Sequence, residues 1–137
     1  MENSTAPQPF PNTLIETLEM RAVQLTAECT IFEMPVGPRV HQPMGTVHGG
    51  ATAALAETAA SVGAFLNCDD AHFAVGVELN VSHLRPRHTG TLRARATPVR
   101  RGRTIHVWTI DVDDEDGERV AIARCTLAIR PKRDERS

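Results

Sequence analysis

Glu57 stands in the middle of an alanine-rich run, GGATAALAETAASVGAFL, from Gly49 to Leu66. Burying a lone carboxylate costs several kcal/mol unless hydrogen bonds or a counter-charge compensate. A chain built only for stability has alanine available for that place. An acid in such a setting suits a nucleophile or a general base. Ser61, at i+4, shares its face and is placed to hold a water for it. A plainer reading stays open, in which Glu57 faces solvent or pairs with an arginine.

His48-Gly49-Gly50 opens the same run. Free N–H groups and the positive dipole end at a helix start favour developing negative charge, and glycine lets a ligand approach the backbone. This is an oxyanion hole in outline, although an ordinary glycine-rich helix entry accounts for the same residues. Gly49 and Glu57 are eight residues apart, which is about 12 Å along one helix. A reacting carbonyl needs donor and base each within about 3 Å. Two copies of the helix, antiparallel across a two-fold axis, would bring one chain's Gly49 to the other's Glu57. A real site therefore implies a homodimer with two shared sites.

The elements around these residues follow from pattern. Thr13 and Glu16 make a capping box before Leu14, Ile15 and Leu18, which predicts a short helix from Asn12. Between Arg21 and Glu33 the apolar residues Val23, Leu25, Ala27, Cys29 and Ile31 alternate with polar ones, which predicts a half-buried strand. Pro35 to Val47 reads as a loop. The alanine-rich run predicts a helix over 49–66, about 27 Å long, and its seven alanines between Ala51 and Ala64 let another element approach closely. Strands are expected around Val75 to Val81, around Leu92 to Ala96, over Ile105 to Val112 and over Arg119 to Ile129. The last two are joined at Asp116-Gly117, a hairpin signal. The order is helix, strand, long helix, four strands, and the expected fold class is α+β, one antiparallel sheet wrapped on a helix.

The chain has 137 residues, 41% hydrophobic and 23% charged, which fits one globular domain over 12–130. A loose leader at 1–11 and a charged tail at 131–137 complete it. A net charge of -2 removes the electrostatic footprint of a nucleic-acid binder. Three separated cysteines, Cys29, Cys68 and Cys125, suit a reducing cytoplasm. No signal peptide or membrane span is expected. Several motifs fail. The calcium-loop look of Asp111, Asp113 and Glu115 is spoiled by Gly117 falling one place late and by Ile122 at the bidentate position. Ser61 lacks a nucleophile elbow's strand and first glycine. The six histidines show no metal-ligand spacing, so no metal is expected, and no phosphate-cradling glycine motif is present.

The strings HQPMGTVHGGATAALAE from His41, GVELNVSHLRP from Gly76, GTLRA from Gly90 and RRGR from Arg100 occur in an order and spacing that resembles the hot-dog-fold acyl-CoA thioesterases of the phenylacetate-degradation type. The likeness runs from about Asn12 to Ile129 and is greatest to the branch of hydroxybenzoyl-CoA, dihydroxynaphthoyl-CoA and enterobactin proofreading thioesterases. It implies a long helix wrapped by a curved antiparallel sheet, dimers sharing a continuous sheet, and commonly a homotetramer. Glu57 matches the catalytic carboxylate, Gly49 the amide that polarises the thioester carbonyl, Gln42 and His48 its polar supports, and Ser61 the hydroxyl one turn after the acid. Gly76, His83, Leu84, Arg85 and Pro86, with Arg100, Arg101, Gly102, Arg103, Thr104 and Ile105, match the pantetheine and nucleotide path. Arg100, Arg101 and Arg103 supply cations for its phosphates.

The expected activity is cytoplasmic hydrolysis of an acyl or aromatic acyl thioester, of coenzyme A or of a carrier protein, to free acid and thiol. No cofactor is needed beyond the coenzyme A that is part of substrate and product. Whether Glu57 attacks directly or activates water stays open. So does a solvated basic turn at Arg100 to Arg103, a core position for His83, and a core role for Met44, Val47, Phe65 and Phe73, the candidates for an acyl pocket. Rival readings are a non-catalytic acyl-CoA-binding or scaffold dimer and a hot-dog dehydratase or hydratase. The latter wants a histidine that the helix lacks after His48.

Overall fold

The computed structural model describes residues 10–133. Leu14–Thr17 form a single helical turn, α1, and the expected capping box does not close, since the Thr13 side chain makes no bond to the helix N–H groups. The Thr13 hydroxyl donates to the Phe10 carbonyl at 2.6 Å, while Glu16 accepts from the Asn12 N–H at 3.3 Å. Phe10, assigned above to the leader, sets its ring 6.0 Å from that of Phe32 and packs against the core. Most of the leader and of the charged tail lies outside the described residues.

Where the alternation from Arg21 to Glu33 predicts one strand, the chain makes two. β1 (Arg21–Leu25) and β2 (Thr30–Val36) pair antiparallel about a tight turn. Thr26 closes it, since its N–H and its hydroxyl both donate to the Cys29 carbonyl, at 3.1 and 2.9 Å. With a threonine in the part that glycine or asparagine usually plays, no turn signal breaks the pattern. The turn also resets the phase. Thr30, Phe32 and Met34 are buried and Ile31 lies on the opposite face, the reverse of the odd-numbered apolar face that the alternation suggests.

A 3₁₀ turn, Pro38–Val40, leads into α2 (Gly49–Leu66), whose bounds are those the sequence predicts. Then come β3 (His72–His83), β4 (Gly90–Arg101), β5 (Ile105–Asp114) and β6 (Arg119–Pro131). All six strands join one antiparallel sheet in the order β1-β2-β4-β5-β6-β3, with β1 and β3 at its edges. The β5–β6 connection is the expected tight turn. Gly117 takes the left-handed φ of 82°, and one oxygen of Asp114 accepts from the N–H groups of Asp116 and Glu118 at 2.9 and 3.0 Å.

α2 lies against one face of this sheet. Its stripe of Leu55, Ala56, Ala59, Ala60, Gly63 and Ala64 is buried among Phe32, Met34, Leu92, Trp108, Ile110 and Leu127. The small residues set the approach, since a Cβ on Gly63 would stand 2.7 Å from the Trp108 ring. Ala53, Ala54, Glu57, Thr58 and Ser61 form a half-buried flank, and Phe65 and Leu66 are exposed at its end. Glu57 thus sits beside the core stripe and not on it. Among the described residues no helix is long and apolar enough to cross a membrane.

Candidate active site

His48 caps α2. Its Nδ1 accepts from the Gly50 N–H at 2.8 Å, and its carbonyl from Ala51 at 2.9 Å and Thr52 at 3.3 Å. The ring is therefore committed to the helix end as an acceptor through Nδ1. Among the described residues nothing accepts from the Gly49 N–H, which stays available at the positive end of an 18-residue helix. That amide borders a cavity of about 330 Å³, lined also by Gln42, Thr46, Thr52 and the segment His83 to Pro86. The His83 ring lies over the Gly49 Cα, so a Cβ at Gly49 would stand 3.0 Å from its Nε2. His83 is exposed and is no core histidine.

Gln42 lines the same cavity, but its amide is used within its own loop. Nε2 donates to the Thr46 hydroxyl at 2.9 Å and Oε1 accepts from the Met44 N–H. In a single chain it braces the loop, and among the described residues the second hydrogen of Nε2 has no acceptor and stays available to a substrate. Thr52 is the residue the sequence reading misses. It is fully buried, lines the cavity, and its hydroxyl has no partner among the described residues. Its place three residues after Gly49, on the same helix face, is the signal that was available.

Glu57 lies half-buried with its carboxylate against the Cα of Gly76 on β3, where any side chain would meet Oε1. Among the described residues it has no ion pair and no hydrogen bond. Arginine pairing is therefore not its reason for being there. Ser61 stands one turn on, equally half-buried. On the neighbouring strand burial pushes the Cys125 thiol up to about 12, helped by the charges of Glu57 and Glu78. That holds Cys125 in the thiol form and removes it as a nucleophile.

The residues matched to the ligand path divide into two groups. His83 to Pro86 share the Gly49 cavity. Arg100 to Ile105 form the β4–β5 turn beside the other end of α2, where Arg101 donates to the Asn67 side chain at 3.2 Å. The turn is closed by the Gly102 N–H on the Ile105 carbonyl at 2.9 Å, and Arg100, Arg101 and Arg103 are exposed. A second cavity, about 200 Å³, lies there between Asn67, Cys68, Asp69, His72, Arg103 and His106. Burial, and next the charge of Arg101, lowers the His106 pKa, and its Nδ1 accepts from the Trp108 indole at 3.2 Å. Of the acyl-pocket candidates, Val47 lines the Gly49 cavity. Met44 is 86% exposed at a loop tip, and Phe65 lies at the far end of α2. One chain alone does not gather them, nor does it bring Glu57 to Gly49.

A long helix lying against one six-stranded antiparallel sheet is the architecture of the hot-dog fold. Residues 44–121 match the thioesterase superfamily model, and the chain belongs to that family of thioester hydrolases. It is 41% identical over 118 residues to the proofreading thioesterase EntH of Klebsiella pneumoniae, covering 86% of each chain. It is 35% identical over 120 residues to the 1,4-dihydroxy-2-naphthoyl-CoA hydrolase of Listeria monocytogenes, covering 88% of this chain and 98% of the relative. A solved thioesterase from Haemophilus influenzae superposes with a TM-score of 0.87 at 34% identity, over 93% of this chain and 89% of that one.

Proposed function

We propose that the protein is an acyl-CoA thioesterase whose two active sites are each shared between the protomers of a homodimer. The observation that carries this is the half-buried Glu57 carboxylate, unpaired among the described residues, in the middle of a helix whose first residue presents an unused Gly49 amide. Antiparallel pairing of two α2 helices that sets Gly49 opposite Glu57 brings the partner's acid to the Gly49 cavity and leaves the partner's basic turn at 100–105, which contacts Asn67, about 15 Å further along that helix. The β3 edge supports the same arrangement. It is twelve residues long, is hydrogen-bonded to β6 on one side only, and exposes Val75 and Val77. Such an edge suits pairing with its own copy into a continuous sheet. A homotetramer built from two such dimers, working in the cytoplasm, completes the reading.

The thioester carbonyl accepts from the Gly49 N–H, and attack on its carbon places negative charge on that oxygen, where the helix end stabilises it. Glu57 of the other protomer supplies the attack. Either its carboxylate bonds to the carbonyl carbon, giving a mixed anhydride that water then opens, or it takes a proton from a water held by Ser61 as that water adds. In both routes the carbon–sulfur bond breaks as the carbonyl reforms, and coenzyme A leaves as thiolate and is protonated. The exposed arginines of the 100–105 turn suit its phosphates, and no cofactor takes part. The substrate is an acyl or aromatic acyl thioester, carried on coenzyme A or on a protein-bound pantetheine.

Thiol release from a panel of acyl-CoA substrates by wild type, Glu57→Gln and Glu57→Ala tests the reading. The variants are expected to lose on the order of 10²–10⁴ in rate with the fold intact. Equal rates in all three would overturn it. Ligand-induced thermal stabilisation without thiol release would identify a binding protein instead.

A further inference from the structure

We propose that Arg87 is a positioning residue for the Gly49 amide, acting through its own backbone carbonyl while Asp114 and Glu115 of the β5–β6 turn clamp its side chain. This rests on the reading of Gly49 as the donor to the thioester carbonyl. The chain enters α2 through two pinned amides. Val47 donates to the Arg87 carbonyl at 2.6 Å and His48 to the Val40 carbonyl at 2.7 Å, so Gly49 carries the first free N–H. The direction of that N–H is set by where residues 40 and 87 stand.

Val40 is buried in the core. Residue 87 belongs to the stretch 84–89, which has no helix or strand of its own. The first half of that stretch is held by backbone, since Leu84 and Arg85 both donate to the Val120 carbonyl, at 2.8 and 3.3 Å. The second half is held by the Arg87 side chain and by the His41 ring, whose Nε2 lies 2.9 Å from the His88 carbonyl. The Arg87 Nη2 donates to Glu115 at 2.7 Å and its Nη1 stands 3.3 Å from the Asp114 carboxylate.

Both acids are themselves fixed. The Asp114 side chain is 1% exposed, and its other oxygen is taken by two turn amides. Glu115 accepts from the Thr91 N–H at 3.0 Å and lies over Gly90, where a Cβ would come within 2.5 Å of it. The second Asp114 oxygen has no hydrogen bond of good geometry among the described residues, so the Arg87 charge is what compensates it there. A planar fork spanning two anchored carboxylates fixes an arginine far better than an exposed ion pair does. The connection runs from β5–β6 turn to Arg87, to Val47, to the helix end. The acidic turn thus has a second use besides reversing the chain.

The test compares wild type, Arg87→Ala, Arg87→Lys and, as a remote ion-pair control, Arg21→Ala. Two readouts are taken, amide exchange and ¹H–¹⁵N resonances of the ligand-free protein, and kcat and KM for thiol release. In Arg87→Ala, Val47 exchange is expected to rise about tenfold or more and the Gly49 resonance to move. kcat is expected to fall on the order of 10–100-fold with KM within about threefold, as for a small misplacement of a reacting geometry. Arg87→Lys recovers part of each, and decides the matter if Arg87→Ala does not fold. Arg21→Ala matches wild type throughout. Unchanged Val47 exchange and Gly49 resonance, or a kcat indifferent to their change, would overturn the proposal. A wild type that releases no thiol from any acyl-CoA refutes the proposed function instead, and the exchange readout still decides the strut.

Discussion

The Glu57 carboxylate on α2 rests against the Cα of Gly76 on β3, and the space between the two elements has room for one side chain only. Gly76 is therefore the residue that lets an acid stand half-buried at this place. In Gly76→Ala the added methyl clashes with Oε1, and the acid must turn away. The variant is expected to keep its fold, because the atoms the methyl meets belong to the flexible Glu57 side chain and not to backbone. Thiol release should fall on the order of 10²-fold. Full activity alongside an unchanged circular dichroism spectrum would show that the acid's placement is not needed.

Gly49 occupies the first position of α2, where proline is well tolerated. His48 before it has φ -67° and ψ 130°, a conformation that a following proline accepts. Gly49→Pro thus removes the N–H with little cost to the helix, whereas Gly49→Ala keeps it and brings the same Cβ within 3.0 Å of His83. The proline variant is expected to lose about 10²–10³ in kcat and the alanine variant less than about tenfold. Equal losses in steady-state kinetics would assign the effect to crowding at His83 and not to the missing donor.

The Asp114 carboxyl is held below the ordinary carboxylate range, first by the Glu118 N–H, then by that of Asp116 and the charges of Arg87 and Arg85, against burial acting in the opposite direction. Glu115 is lowered too, chiefly by the Thr91 N–H. A folded pKa below the unfolded one gives stability that is present above about pH 4 and is lost as the pH falls through the folded value. Wild type should therefore be more stable than Asp114→Asn at pH 7, with the gap narrowing towards pH 3. Urea unfolding at both pH values measures it. A gap independent of pH would remove the charge of Asp114 from the explanation.

The parts of the fold governed by local pattern were legible in the residues. The alanine-rich run gave α2 to the residue, and Asp116-Gly117 marked the β5–β6 turn. The β1–β2 hairpin was not legible, because Thr26 turns the chain with its hydroxyl and leaves the apolar alternation unbroken. At the site, Glu57 and Gly49 stood out by type, but their supports did not. That Gly76 makes room for the acid and that the turn acids reach Arg87 are contacts between residues distant in sequence, and that Gln42 braces its own loop through Thr46 and Met44 depends on an irregular loop with no periodicity to read. Spacing along the chain carries no trace of them. The division of the ligand path between the two ends of α2 is likewise set by the sheet, which puts the β3 end and the β4–β5 turn about a helix length apart.

Co-expression of Glu57→Gln with Gly49→Pro measures most directly whether the acid and the amide of one site come from different protomers. In a mixed dimer one site carries both defects and the other neither. Random pairing is therefore expected to restore roughly a quarter of wild-type thiol release, while each variant alone remains nearly inactive. Activity in the mixture no higher than the average of the two separate variants would mean that each chain works by itself, contrary to the shared site proposed here.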